Sequence, residues 1–138
     1  MKKTKKSILF ICADQWRFDC FSFLNHQYAL TPNLDKLAKK SIIFKSHFAG
    51  IVPCGPSRTT MLTGLYPFIH RSVYNGAPLD KRFTNIAKEV RKLDYEPSLY
   101  GYTDTSWDPR YLDPKDKKNF TYESPMEGFD DGCVLPGG

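Results

Sequence analysis

Near the middle of this sequence stands Cys54-Gly55-Pro56-Ser57-Arg58, followed by Thr59-Thr60-Met61-Leu62-Thr63-Gly64. Pro56 is suited to the start of a helix, so the thiol falls at a helix entrance, where unpaired N–H groups and the dipole favour anions and anionic nucleophiles. Arg58, four residues on, lies about one turn above Cys54 on the same side, where its guanidinium can hold an oxygen on residue 54 or on a tetrahedral anion. Taken alone, a single cysteine is ordinarily an inert buried thiol. A second group of interest is Asp14-Gln15, directly after an apolar run. A carboxylate and an amide oxygen suit a hard cation there, although an aspartate after a strand also serves simply to cap a turn.

The elements that must position these groups follow from the apolar pattern. Residues 7–13 form a continuous apolar and β-branched run, as in a strand buried on both faces of a parallel sheet, with Cys12 packed inside it. Thr31-Pro32 predicts a helix with Thr31 as N-cap, running to about Lys40. Residues 41–48 read as a second strand. Pro56 opens a helix with Met61, Leu62 and Leu65 on one side, ended by Gly64. A third helix over 84–93 buries Ile86, Val90 and Leu93, and a short strand follows over 98–102. Strand, helix, strand, helix, helix, strand is α/β order. The fold expected is α/β, part of a mostly parallel sheet flanked by helices and incomplete. Three segments are expected: a basic tail over 1–6, the organised part over 7–103, and a third over 104–138. The last holds four prolines, four glycines and few aliphatics, so it reads as a disordered tail or a surface excursion of a larger domain.

Composition removes other classes. Of the net charge of +5, Lys2, Lys3, Lys5 and Lys6 supply four; the remainder is nearly neutral, and nucleic-acid binding loses its support. No apolar run is long enough to span a membrane, and residues 8–13 are too short for a signal-peptide core. Cysteines at 12, 20, 54 and 133 form no C-x-x-C pair, which argues against structural zinc and makes a reducing cytoplasm the expected location. His26, His47 and His70 share no ligand spacing, and His70 is expected to be solvated at the surface. Trp16 and Trp107 read as core and pocket wall.

Cys-x-Pro-Ser-Arg followed by Leu-Thr-Gly resembles the sulfatase signature of the alkaline-phosphatase superfamily. Val52-Pro53-Cys54-Gly55-Pro56, Asp14-Gln15-Trp16-Arg17, His70-Arg71, Asn75 with Pro78-Leu79-Asp80, and Gly101-Tyr102-Thr103 look most like its phosphonate monoester hydrolase and phosphodiesterase branch. The resemblance runs from about Ser7 to Pro109. It implies that a formylglycine-generating enzyme oxidises Cys54 to formylglycine, whose hydrate attacks sulfur or phosphorus and then expels the bound group by hemiacetal cleavage. It implies a divalent metal, Ca2+ or Mn2+, on Asp14, Gln15 and residue 54, with Arg58 holding the modified side chain. Asn75 and Tyr102 would contact the non-bridging oxygens of a small anionic ester. Asp104 departs from the branch, which tends to have a hydroxyl there. The family's later Asp-His metal pair and catalytic His and Lys have no counterpart in this sequence, so a catalytically inactive remnant or anion-binding module is the alternative expectation. Partners expected are the ester and the modifying enzyme, with no nucleic acid or membrane and an oligomer left open.

Overall fold

The computed structural model describes residues 6–121 and 125–133, so the expected basic tail lies, but for Lys6, outside the described residues. Contacts divide the chain into two compact units, 1–47 and 48–138. Among the described residues no helix is long and apolar enough to cross a membrane.

In the first unit, Asp14 and Gln15 form a turn, with Gln15 in the left-handed region at φ 54°. Trp16, expected in the core, is about half exposed (47%); it stacks on Phe21 at 5.4 Å, and its Nε1 donates to the Cys20 carbonyl. Helix α1 spans Pro32–Ala38, with proline at its first position as expected. Thr31 does not cap it with its side chain. Its hydroxyl accepts from the Ser22 N–H at 3.0 Å and donates to Asp35 at 3.1 Å, tying the helix start to the preceding turn.

The strands expected over 7–13 and 41–48 do not form. Ile8, Leu9, Phe10, Ile11, Ile42 and Phe44 are all more than 60% exposed, and Cys12 is exposed rather than packed. A strand of a parallel sheet is stable only with neighbours on both edges and cover on both faces. Among the described residues neither run has a ladder partner.

The second unit is built on α2 (Cys54–Thr63), α3 (Pro67–His70), α4 (Ile86–Arg91), β1 (Ser98–Tyr100) and β2 (Asp130–Cys133). Helix α2 begins at the cysteine, two residues before Pro56, and ends at Gly64, whose left-handed φ of 70° closes the turn with its N–H on the Thr60 carbonyl. Its buried side is Gly55, Pro56 and Thr59. Met61 is exposed, and the expected Met61, Leu62, Leu65 face is not the packed one. Helix α4 is shorter than the expected 84–93 and turns Ala87 inward, leaving Ile86 and Leu93 exposed. The cause is Asn85. Its Oδ1 caps the Lys88 N–H at 3.0 Å and its Nδ2 donates to the Glu127 carbonyl at 2.8 Å, which lays residues 126–130 along the helix. Lys88 pairs with Glu127, and Arg91 reaches the Gly128 carbonyl and Asp130. Gly128, at φ 105°, lies so close that a Cβ would meet Lys88 and Ala87 at 3.0–3.3 Å.

That docking aligns β2 parallel to β1, with Ser98 opposite Asp130 and a bulge after Leu99. The interior is small and polar: beside Ala77, Leu79, Ala87 and Met126, the buried residues include Thr59, Ser72, Asn85, Thr103, Thr105 and Asp108. Hydrogen bonds rather than apolar area therefore choose the conformation. One such knot is Asp108, which accepts from the Lys81 and Arg110 N–H groups and from the Arg110 guanidinium, itself bridging to Asp80 at 2.9 Å. The Arg110 guanidinium holds the Asp108 carboxyl down at about 2. Because the folded value lies below the ordinary one near 4, this group's stabilisation is complete above about pH 4 and is lost as pH falls through about 2. Urea midpoints should therefore drop between pH 5 and pH 2.5, and less steeply in Asp108→Asn; equal slopes would show that the knot is not linked to folding.

Candidate active site

Cys54 occupies the first position of α2, after Pro53. Pro53 has no side chain with which to cap the helix, and the first intrahelical bond runs from the Ser57 N–H to its carbonyl at 3.1 Å. Pro56 has no N–H. The Gly55 N–H is taken by Asn75 Oδ1 at 2.9 Å, across twenty residues of sequence. Gly55 must be glycine for this approach, since a Cβ would stand 2.6 Å from the Asp104 carbonyl oxygen and 3.1 Å from the Asn75 Cα.

Arg58 lies one turn up. Its Nη1 donates to the Tyr102 carbonyl at 2.9 Å, and its guanidinium stacks over the Tyr102 ring at 4.3 Å. A planar cation held on both an edge and a face has little freedom to swing away. Beneath, Thr59 donates to the Gly55 carbonyl and meets Thr105 at 3.3 Å, and Thr105 donates to the Thr103 carbonyl. The structure thus brings Cys54, Arg58, Asn75 and Tyr102 together on the second unit, through Gly55 and Asp104.

Asp104 is only 5% exposed and left-handed at φ 57°, with its carbonyl accepting from the Gly76 N–H at 2.9 Å. It acts here as a buried backbone pivot. His70 is also buried, at 3% exposure, which corrects the expectation of surface solvation. Its Nδ1 accepts from the Ser72 N–H, so Nε2 carries the proton and donates to Thr60, whose hydroxyl donates to the Pro56 carbonyl. The ring is satisfied as a neutral imidazole, and burial pushes its pKa down. It braces the first turn of α2 from the side. Trp107 is half-buried, with the Lys118 ammonium 3.9 Å above its ring.

Asp14 and Gln15 lie on the first unit, away in sequence from this cluster. Their carboxylate and amide oxygens are donors of the kind a hard divalent cation takes, but they fill only part of a shell of about six. Among the described residues no group of three or more His, Cys, Asp or Glu is disposed to hold a metal ion. Of the residues that matter here, Gly55 was the one missed as a site-former: a glycine in the first turn of a helix signals a close approach but not to what.

Comparison with known proteins bears on the whole segment. The sulfatase family model matches residues 6–131. The multifunctional alkaline phosphatase superfamily protein PehA of Trinickia caryophylli is 41% identical over 131 residues, 91% of this chain and 26% of its own length. An ulvan-active sulfatase of Formosa agariphila is 30% identical over 92% of this chain and 24% of its own. Among solved structures, the phosphonate monoester hydrolase of Agrobacterium radiobacter superposes with a TM-score of 0.85 at 49% identity, over 90% of this chain and 25% of that one. The phosphonate monoester hydrolase of Silicibacter pomeroyi does so at 0.89 and 45%, over 96% and 26%. The chain spans about a quarter of the length of these relatives. Its fold is accordingly an incomplete α/β, alkaline-phosphatase-like one. On the family match and these identities, the chain belongs to the sulfatase family of the alkaline-phosphatase superfamily, with phosphonate monoester hydrolases among its structural neighbours.

Proposed function

We propose that this chain is the nucleophile-bearing N-terminal segment of a cytoplasmic hydrolase of sulfate or phosphonate/phosphate esters, in which Cys54 is converted to formylglycine. The observation that carries the reading is the joint placement of Cys54 at the start of α2 and of Arg58 one turn on, locked against Tyr102. Asp14, Gln15 and residue 54 would contribute to a divalent cation, Ca2+ or Mn2+. A cation bound there would supply Lewis acidity, and the formylglycine diol at residue 54 would supply a nucleophilic oxygen at neutral pH.

The remaining work belongs to side chains of this chain. Arg58 orients residue 54 and offers positive charge where the anionic ester binds. Asn75 and Tyr102 contribute an amide and a phenol to the non-bridging oxygens. Gln15 is neutral, and beside a cation it repels an anionic substrate less than a second carboxylate would. A singly charged phosphonate monoester or phosphodiester is therefore as suitable as an aryl sulfate.

Co-expression with a formylglycine-generating enzyme is expected to convert Cys54. Peptide mass spectrometry reads this as a loss of about 18 Da on the peptide spanning residue 54, the exchange of a thiol CH2SH for an aldehyde. A peptide that stays wholly thiol while a control substrate converts would remove the proposed mechanism.

A further inference from the structure

Helix α2 has no cap of its own. Pro53 offers no side-chain acceptor, Pro56 has no N–H to be capped, and the donor that needs a partner at the second position belongs to Gly55. That partner is Asn75, whose Oδ1 lies 2.9 Å from the Gly55 nitrogen. An N-cap asparagine ordinarily does this from the residue just before the helix. Here the same bond is delivered from a loop twenty residues downstream. A backbone N–H can only donate, which fixes the flip of the carboxamide: oxygen toward Gly55, with the Nδ2 amide left as the donor group.

The loop that brings Asn75 is itself pinned, because the Gly76 N–H donates to the Asp104 carbonyl at 2.9 Å. The same carbonyl oxygen lies where a Cβ on Gly55 would be. Three backbone segments therefore meet at the residue immediately after Cys54. We infer that Asn75 is a positioning residue, a remote N-cap that sets the backbone of residue 54 through the Gly55 N–H, with its Nδ2 amide alone remaining for an oxyanion. The consequence for chemistry rests on the proposed function; the geometry does not.

The two roles separate under substitution. Aspartate at 75 retains an acceptor for the Gly55 N–H but has no amide donor, whereas alanine has neither. In the 138-residue chain with Cys54 unconverted, amide exchange of Gly55 should be slow. It should accelerate by about tenfold or more in Asn75→Ala, with exchange in α4 unchanged, and return to within about threefold of the parent in Asn75→Asp. The 13Cβ shift of residue 54 should move in Asn75→Ala and be restored in Asn75→Asp. Should the alanine variant not fold, the parent still decides: a through-hydrogen-bond coupling from the Gly55 15N to the Asn75 13Cγ is expected. Fast exchange at Gly55 in the parent, no coupling, or an aspartate variant that behaves as alanine would overturn the inference. Failure of Cys54 to be converted would sink the proposed function and leave this result standing.

Discussion

The isolated 138-residue chain, even with residue 54 converted, is expected to hydrolyse aryl sulfates, phosphonate monoesters and phosphodiesters no faster than background. The proposed function draws three cation donors from this sequence, Asp14, Gln15 and residue 54, where a hard divalent cation takes about six oxygens, so the affinity for it should be no tighter than about 0.1–1 mM. The apolar run that leads into Asp14 is exposed and, among the described residues, outside the sheet, so the backbone before that carboxylate lacks the rigid element that precise catalytic placement draws on. His70, the histidine nearest the cluster in sequence, has both ring nitrogens committed and is no general acid. Losing the cation and a proton donor together removes several powers of ten, on the order of 10² to 10⁴ for acid catalysis alone. Calorimetric titration with Ca2+ and Mn2+ and a fluorogenic ester assay, with Cys54→Ala as the blank, would check both halves. Enzymatic turnover that disappears in Cys54→Ala would show that the groups named here suffice, or that a second copy completes the shell.

How far the sequence leads depends on whether a feature is local. Pro32 opening a helix and Gly64 closing one are decided within a turn of backbone, and both are seen. Residues 98–102 also become a strand, though a shorter one. The runs over 7–13 and 41–48 carry the right residues for strands but not the partners. Pairing in a parallel sheet is non-local, and apolar character cannot substitute for a neighbour. Segment 126–130 looked coreless by composition, yet it docks because Asn85, Lys88 and Arg91 offer donors at the spacing of one helix face. Asparagine before an apolar-periodic segment is an N-cap signal, and reading it would have started α4 at Ile86. At the candidate site, motif residues Cys54 and Arg58 were legible as a pair on one helix. The bond from Asn75 to Gly55 was not, because twenty residues and a loop separate donor from acceptor.

Gly55→Ala should destabilise the chain although helix propensity argues the reverse. In a helix interior, alanine is favoured over glycine by about 1 kcal/mol. Against this, the added Cβ would stand 2.6 Å from the Asp104 carbonyl oxygen, 3.1 Å from the Asn75 Cα and 3.2 Å from Asn75 Oδ1. The two nearest are backbone atoms, and the third, a side-chain end, is itself tied by a hydrogen bond. The carbonyl accepts from the Gly76 N–H, and Oδ1 accepts from Gly55 itself. Overpacking against fixed atoms costs about 1–3 kcal/mol, and forcing the Asn75 bond open costs about 1 kcal/mol more. Sterics should win, with a net loss of about 1–3 kcal/mol, read as a lower urea midpoint at unchanged slope. Gly64→Ala is the useful contrast: its Cβ meets nothing within 4 Å, and only the left-handed φ of 70° opposes it. That variant should lose about 1 kcal/mol through backbone strain alone, without faster exchange at the Gly55 amide. If Gly55→Ala proved as stable as the parent, the backbone of residue 54 would not be held against Asp104 and Asn75, and the alignment of Cys54 would have to come from Arg58 and Tyr102.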